Sequence, residues 1–306
     1  MKNLIKFFFL CVGFIFLFNN GGKDDSAIKI VVPNTISSIP FLEVNNLNIK
    51  DKTIKVDFFQ DHIMTMAEFL TGNIDIFVTG FTQGLANYSG NKGIKLLFTP
   101  VWGVSSLIAA DVSIKDLNDL TGKTVLVPFK KSPLELQFEA ILKKSGMKNK
   151  IKIDYAVPQQ AVPMLLTKKA DAVCVPEPLV SKLVLSKKAF VVFGFADKWG
   201  ELYGGEKRTP QVSVFVKKDF AENNREFLSK LIEEINNKIR EINKDSQKYS
   251  IKYASIFELD EEIMNNAVKN TLFDIPVFND SKKITLDFLK EIEFEEKVED
   301  EFFFDY

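Results

Sequence analysis

Two stretches of the chain carry the same order of apolar and polar positions. Residues 28–33, Ile-Lys-Ile-Val-Val-Pro, and residues 123–128, Lys-Thr-Val-Leu-Val-Pro, are short runs rich in β-branched residues and closed by proline. That pattern predicts a buried strand. Four residues after each proline stands a serine, Ser37 or Ser132, ahead of a helix-like pattern; in the second copy its apolar positions are Leu134, Phe138, Ile141 and Leu142. A serine at that point predicts an N-cap. Residues 54–59 and 151–156 alternate as strands do, and the clusters Met64, Met66, Phe69, Leu70 and Val162, Met164, Leu165, Leu166 predict short amphipathic helices after them. Residues 70–80 then align with residues 166–176, placing Asp75 opposite Asp171 at the opening of another buried strand. Four matched anchors in one order predict two similar βαβαβ units in tandem, hence an α/β protein with two lobes.

Between the units lies the long run of residues 96–110, read as a connection, and after the second comes a Gly/Lys-rich segment, residues 199–210. Residues 212–216 predict a strand. Residues 224–243 predict a packed surface helix, with Phe227, Leu228, Leu231, Ile232, Ile235, Ile239 and Ile242 on one stripe. A third copy of the pattern is absent, so the C-terminal helices are expected to return to the first lobe. Residues 23–105 would then form the first part of lobe 1, 106–208 lobe 2, and 209–306 the return and C-terminal helices. The connections at 96–110 and 210–216 would form a hinge. Residues 291–306 read as a frayed end despite Phe302, Phe303 and Phe304.

Composition narrows the chemistry. Among 306 residues, 40 Lys and Arg face 41 Asp and Glu, a net charge of −1. Without a basic excess, a nucleic-acid partner is not expected. His62 is the only histidine, so di-His metal sites are impossible and any Ser/His or Cys/His pair must use it. No phosphate-binding loop occurs, and neither a metal site nor a cofactor is expected. At the N-terminus Lys2 and Lys6 precede an unbroken apolar run, residues 7–18, that stops at Asn19-Asn20-Gly21-Gly22. Twelve residues are too few to span a bilayer, and the pattern predicts a secretory signal over residues 1–22. Cys11 lies inside it, which leaves Cys174 as the sole thiol of the mature chain. The protein is therefore expected outside the cytoplasmic membrane, in the periplasm or attached to the outer side of that membrane.

In open parallel sheets ligands bind beyond the carboxyl ends of the strands, where helix N-termini converge. Four such ends are predicted here. They offer Asn34, Thr35, Ser37 and Ser38; Thr79, Gly80, Phe81 and Thr82; Lys131 and Ser132; and Glu177. Each hydroxyl is either a ligand contact or a cap on its own helix. Trp102, in the expected hinge, either covers a ligand or fills a core. Lys130 and Lys131 either attract an anion or are simply solvated, as most lysines are, and Glu177 would pair with a ligand amine or cap the helix begun by Pro178. Phe81 is the candidate for stacking on a ligand.

The N-terminal signal, the two-unit layout, the segment Asp116-Leu-Asn-Asp-Leu-Thr-Gly-Lys-Thr-Val-Leu-Val-Pro128 and the Glu177-Pro178 element together resemble the substrate-binding proteins of nitrate/sulfonate/taurine-type ABC importers. The likeness extends over about residues 28–276. It implies a type II periplasmic-binding fold with a ligand cleft between hinged lobes, and contacts at the four loops above. It also implies a monomer that delivers a small solute to ABC permease subunits served by a separate ATPase chain. That family commonly has Trp-Glu-Pro-Trp where this chain has Val175-Pro176-Glu177-Pro178-Leu179. The alternative is an enzyme on the same scaffold, resembling thiamine-pyrimidine synthases, whose essential His and Cys-rich motif find only His62 and Cys174 here.

Overall fold

The computed structural model describes residues 26–91 and 93–306. The predicted export signal, with Cys11, lies outside the described residues. Strands β1 (Ala27–Val32), β3 (Lys52–Phe58) and β4 (Ile76–Gly80) are parallel, with β1 in the middle, and β2 (Asn48–Ile49) pairs antiparallel at the edge. In the second sheet β7 (Thr124–Val127), β8 (Lys152–Tyr155) and β9 (Ala172–Pro176) repeat this arrangement, with β7 between the other two. Helices cover these sheets on both faces, which is why their central strands are continuous apolar runs rather than alternating ones. The predicted tandem repeat is thus a repeat of topology.

Each parallel trio is extended by antiparallel strands. In the first sheet β11 (Val212–Lys217) lies between β4 and β5 (Ile94–Gly103), with β12 (Leu272–Phe273) beyond. In the second, β6 (Ser105–Ala109) lies between β9 and β10 (Phe190–Gly194). The run 96–110, expected as a connection, is therefore two buried strands of different sheets, and the chain crosses between them at Val104. Its nearly unbroken apolar character is the mark of a strand buried on both faces.

The helix Arg225–Lys244 buries the seven side chains of its predicted stripe, each worth about 1.5–3 kcal/mol relative to exposure. The tail departs from expectation. Phe302, Phe303 and Phe304 are buried, the first two in the core shared by both sheets and the third in the core of the first sheet alone. The Phe304 N–H donates to the Leu96 carbonyl at 2.9 Å, and the Phe302 ring lies 4.5 Å from that of Tyr88. Phe302 ends a 3-10 turn and Phe303 begins an extended stretch bridged to Leu96 of β5, and this change of backbone sends the three rings to different sides.

The two aspartates matched in the sequence do the same work in both units. The Asp75 N–H donates to the Lys29 carbonyl of β1 at 3.1 Å, and its Oδ2 accepts from the Lys29 N–H at 2.9 Å. Asp171 accepts from the Thr124 N–H at 2.8 Å in the same way beside β7. Each carboxylate fixes where the third strand of its unit begins. Asp75 is buried, whereas Asp171 is half-exposed and shares its charge with Lys123 at 3.7 Å. Asp75→Ala should destabilise the chain by about 1–3 kcal/mol, because it strands a donor in the core. Asp171→Ala should cost less. Urea-unfolding midpoints of the two variants of residues 23–306 check this ordering, and equal losses would contradict it.

Candidate functional site

Of the loops at the carboxyl ends of β1, β4, β7 and β9, those after β4 and β7 meet across the two sheets. After β1 the chain turns through Pro33 into a short 3-10 turn, Ile36–Ser38. Asn34 and Thr35 are exposed on this loop, while Ser37 and Ser38 are buried. Ser37 does not cap a helix as predicted. Its hydroxyl lies 2.6 Å from that of Thr35, and Ser38 donates to the Pro33 carbonyl, so the loop satisfies its own polar groups. Ser132 is the cap its position predicted, accepting from the Glu135 N–H at 3.1 Å at the start of the helix Pro133–Lys144. Lys131 has a left-handed backbone, φ 61°, and its N–H is held by the Glu135 carboxylate. The other oxygen of that carboxylate accepts from the Tyr155 hydroxyl, whose pKa rises to about 12, chiefly through this bond.

Two of the predicted residues meet across the cleft. Thr82, in the first turn of the helix Phe81–Asn91, donates to the Lys131 carbonyl at 3.3 Å. Thr79, at the end of β4, bonds Nε2 of His62 at 2.7 Å and reaches Gln83 at 3.3 Å. His62 begins the helix His62–Thr71 and is wedged against Phe59 and Phe77, so it is half-buried rather than solvated. Burial lowers its pKa and the neighbouring Asp61 carboxylate opposes that shift.

Glu177 is buried. Its N–H donates to Val104 at 2.8 Å, and its carboxylate accepts from the Ser181 N–H at 3.0 Å and from the Asn270 amide at 2.8 Å. The helix-capping alternative therefore describes it, with an added bond to the C-terminal region. Burial raises its pKa above the ordinary 4.5, while the bonds from Asn270 and Ser181 pull it down.

Two aromatic candidates are placed elsewhere. Trp102 is fully buried in β5 and donates its indole N–H to the Asp274 carbonyl at 3.0 Å, so it is core and does not cover a ligand. Phe81 is also fully buried, its ring edge-on to Phe288 at 6.3 Å, and offers no face for stacking. Both sit where a strand end meets packed helices, and the apolar surface there takes the rings.

Sequence reading missed a polar cluster between the lobes. The Gln137 amide nitrogen donates to Thr209 Oγ1 at 3.0 Å, and its amide oxygen accepts from Gln211 Nε2 at 3.0 Å. Thr209 in turn donates to the Trp102 carbonyl at 3.2 Å. All three side chains are buried. One signal was present: Gln137 interrupts an otherwise apolar helix face, and buried amides are found where partners await them.

Two similar α/β lobes, each with a parallel trio in second-first-third strand order and antiparallel strands beside it, joined by two crossings, define the type II periplasmic-binding fold. No protein-family model matches the chain, nor does any curated protein. Solved structures do. An ABC transporter protein from Parabacteroides distasonis superposes with a TM-score of 0.78 at 14% identity, covering 92% of this chain and 99% of that one. The periplasmic aliphatic sulphonate binding protein of Escherichia coli gives 0.73 at 16% identity, covering 89% and 95%. The periplasmic nitrate-binding protein of Synechocystis PCC 6803 gives 0.66 at 13% identity, covering 87% and 80%.

Two titrations test this electrostatic picture. The raised pKa of Glu177 means that its protonated form contributes stability in full below the ordinary glutamate pKa, and that this contribution is lost as pH rises through the folded value. Glu177→Gln should remove that decline, which thermal unfolding of both proteins from mildly acid to neutral pH will show; parallel curves would contradict it. The single histidine gives one ring C–H resonance to follow. His62 should titrate below 6.5 by proton NMR, and Asp61→Asn, which removes the opposing charge, should lower its midpoint further; an unchanged midpoint would contradict this.

Proposed function

We propose that the chain is the extracytoplasmic solute-binding component of an ABC importer. It captures a small solute by closing two lobes about a hinge and presents it to membrane permease subunits whose ATPase is a separate chain. The observation that carries this reading is the direct meeting of the two strand-end loops, Thr82 with Lys131, in a fold shared with proteins of that role. Lobe closure requires a ligand that contacts both sides better when they are together. The ligand-facing set is proposed as the exposed Asn34, Thr35 and Lys131 with the loop backbones around Gly80 and Ser132. The two crossings near Val104 and Gln211 are proposed as the hinge. The sequence pattern of residues 1–22 supports export, and among the described residues no helix is long and apolar enough to cross a membrane.

The enzyme alternative gains no support from the one thiol outside the predicted signal. Cys174 is buried in β9, and desolvation raises its pKa well above the ordinary value, which disfavours the thiolate that nucleophilic or metal chemistry needs.

A thermal-shift screen against sulfonates, nitrate, amino acids, pyrimidines and flavins tests the proposal. A cognate solute at about one hundred times its Kd should add about 2.7 kcal/mol of stability, seen as a rise of several degrees in Tm. Mass spectrometry should recover it unchanged. A ligand consumed during incubation would overturn the binding reading.

A further inference from the structure

We propose that the cleft takes a neutral, flat heteroaromatic ring with an N–H beside a C=O on its edge, the ring lying on Phe129 and Tyr155 of lobe 2 and the edge read by His62 and Gln83 of lobe 1. The proposal rests on the solute-binding reading and names the class of solute.

Lobe 2 supplies the platform. Tyr155 ends β8 and pairs with Val127 of β7, two residues before Phe129, so the two rings stand at neighbouring strand ends. Phe129 is 43% exposed and Tyr155 42%, and among the described residues no other ring packs on either. The Tyr155 hydroxyl donates to the Glu135 carboxylate, which fixes that ring before a ligand arrives. Two residues beyond Phe129 the same loop meets lobe 1, where the Lys131 carbonyl accepts from Thr82, the neighbour of Gln83. Open aromatic faces beside a contact between the lobes suit a flat apolar body.

Lobe 1 supplies the polar reader. Thr79 donates to Gln83 Oε1 at 3.3 Å, so the proton in its 2.7 Å bond with His62 belongs to Nε2 of the ring. A neutral imidazole protonated there keeps Nδ1 as an acceptor, and Gln83, whose oxygen is engaged, keeps its amide N–H groups as donors. Burial favours the neutral ring, and Phe59 and Phe77, with centroids 5.9 and 5.7 Å away, hold its plane. Gly80 gives the Gln83 amide its place, since a Cβ on residue 80 would lie 2.4 Å from Oε1. One acceptor and one donor, linked through Thr79, match a ring N–H next to a C=O. An oxyanion is served poorly by the same loops. The Ser38 and Thr82 hydroxyls donate to protein carbonyls and the Lys131 N–H to Glu135, while the charges of Lys130 and Lys131 are balanced by Glu139 and Glu135 of the helix that follows.

The only histidine makes the test site-specific. Residues 23–306 would be titrated at pH 7 with uracil, with the bicyclic hypoxanthine and with methanesulfonate while the His62 ring C–H signals are followed by proton NMR. At least one of the two rings should shift them saturably, and methanesulfonate should not. Phe129→Ala should raise the apparent Kd of that ring about tenfold, the size of one lost stacking contact, and Gln83→Leu should raise it severalfold. Phe129 is exposed, so its removal should leave the His62 signals of the free protein in place. No saturable shift with either ring, a saturable shift with methanesulfonate, or an unchanged Kd in Phe129→Ala would overturn the proposal. A shift with methanesulfonate alone would overturn the heteroaromatic class and leave the transport reading standing, whereas that reading falls only if a bound solute is consumed.

Discussion

A glutamine side chain buried among apolar groups is costly unless its amide is satisfied, and Gln137 finds its partners on the segment that leads back out of lobe 2. Thr209 and Gln211 stand at the end of that segment, and Thr209 passes the network on to the backbone of β5, the strand by which the chain first leaves lobe 1. One set of bonds therefore holds the helix Pro133–Lys144 against both crossings. Phe81 leans on the same place, since its N–H donates to the Gln211 carbonyl at 3.0 Å. The knot ties one helix of the second sheet's lobe to the crossings themselves, so the pivot stays joined while parts farther from it are free to move. A low local dielectric makes the knot rigid while complete and unfavourable when partly broken.

The lobes differ in how they use their equivalent serines, although their strands correspond. Ser132 caps a helix that starts at once, whereas Ser37 lies in a 3-10 turn ahead of the very short helix Ile39–Leu42. The second unit thus offers a helix N-terminus of twelve residues to the cleft, the first a loop closed on itself. Glu135 in the first turn of that helix further ties down Lys131 and Tyr155. Variation on one side and rigidity on the other suit a fold that serves many ligands from one frame.

Much of the frame was legible because its signals are local. Short β-branched runs, the aspartates at the start of β4 and β9, and the seven-residue stripe of Arg225–Lys244 each announce their element within a few residues. What failed was long-range. Residues 96–110 are apolar enough for a strand, but nothing nearby says that the sheet changes at Val104. Phe81 is the candidate that fails outright, and Trp102 takes the core alternative, because an aromatic at a strand end looks alike whether it faces a cleft or a helix laid over it; Phe288 comes 207 positions after Phe81 in the chain. Glu177 was placed correctly at the end of β9, yet its partner Asn270 stands 93 positions away. The tail was misread for the same reason, since its rings find their surface on Leu96 and Tyr88.

That tail also sets an order of assembly. β4 and β5 are joined only through β11, and Leu96, paired with Phe215 on one side, gains its partners on the other side from residues 303–304. A chain growing from its N-terminus has made every strand of the second sheet by Gly194, while the first still lacks its middle and its outer seam. Lobe 1, begun first, is finished last. Until then it presents two open strand edges, the kind of surface that pairs with other chains.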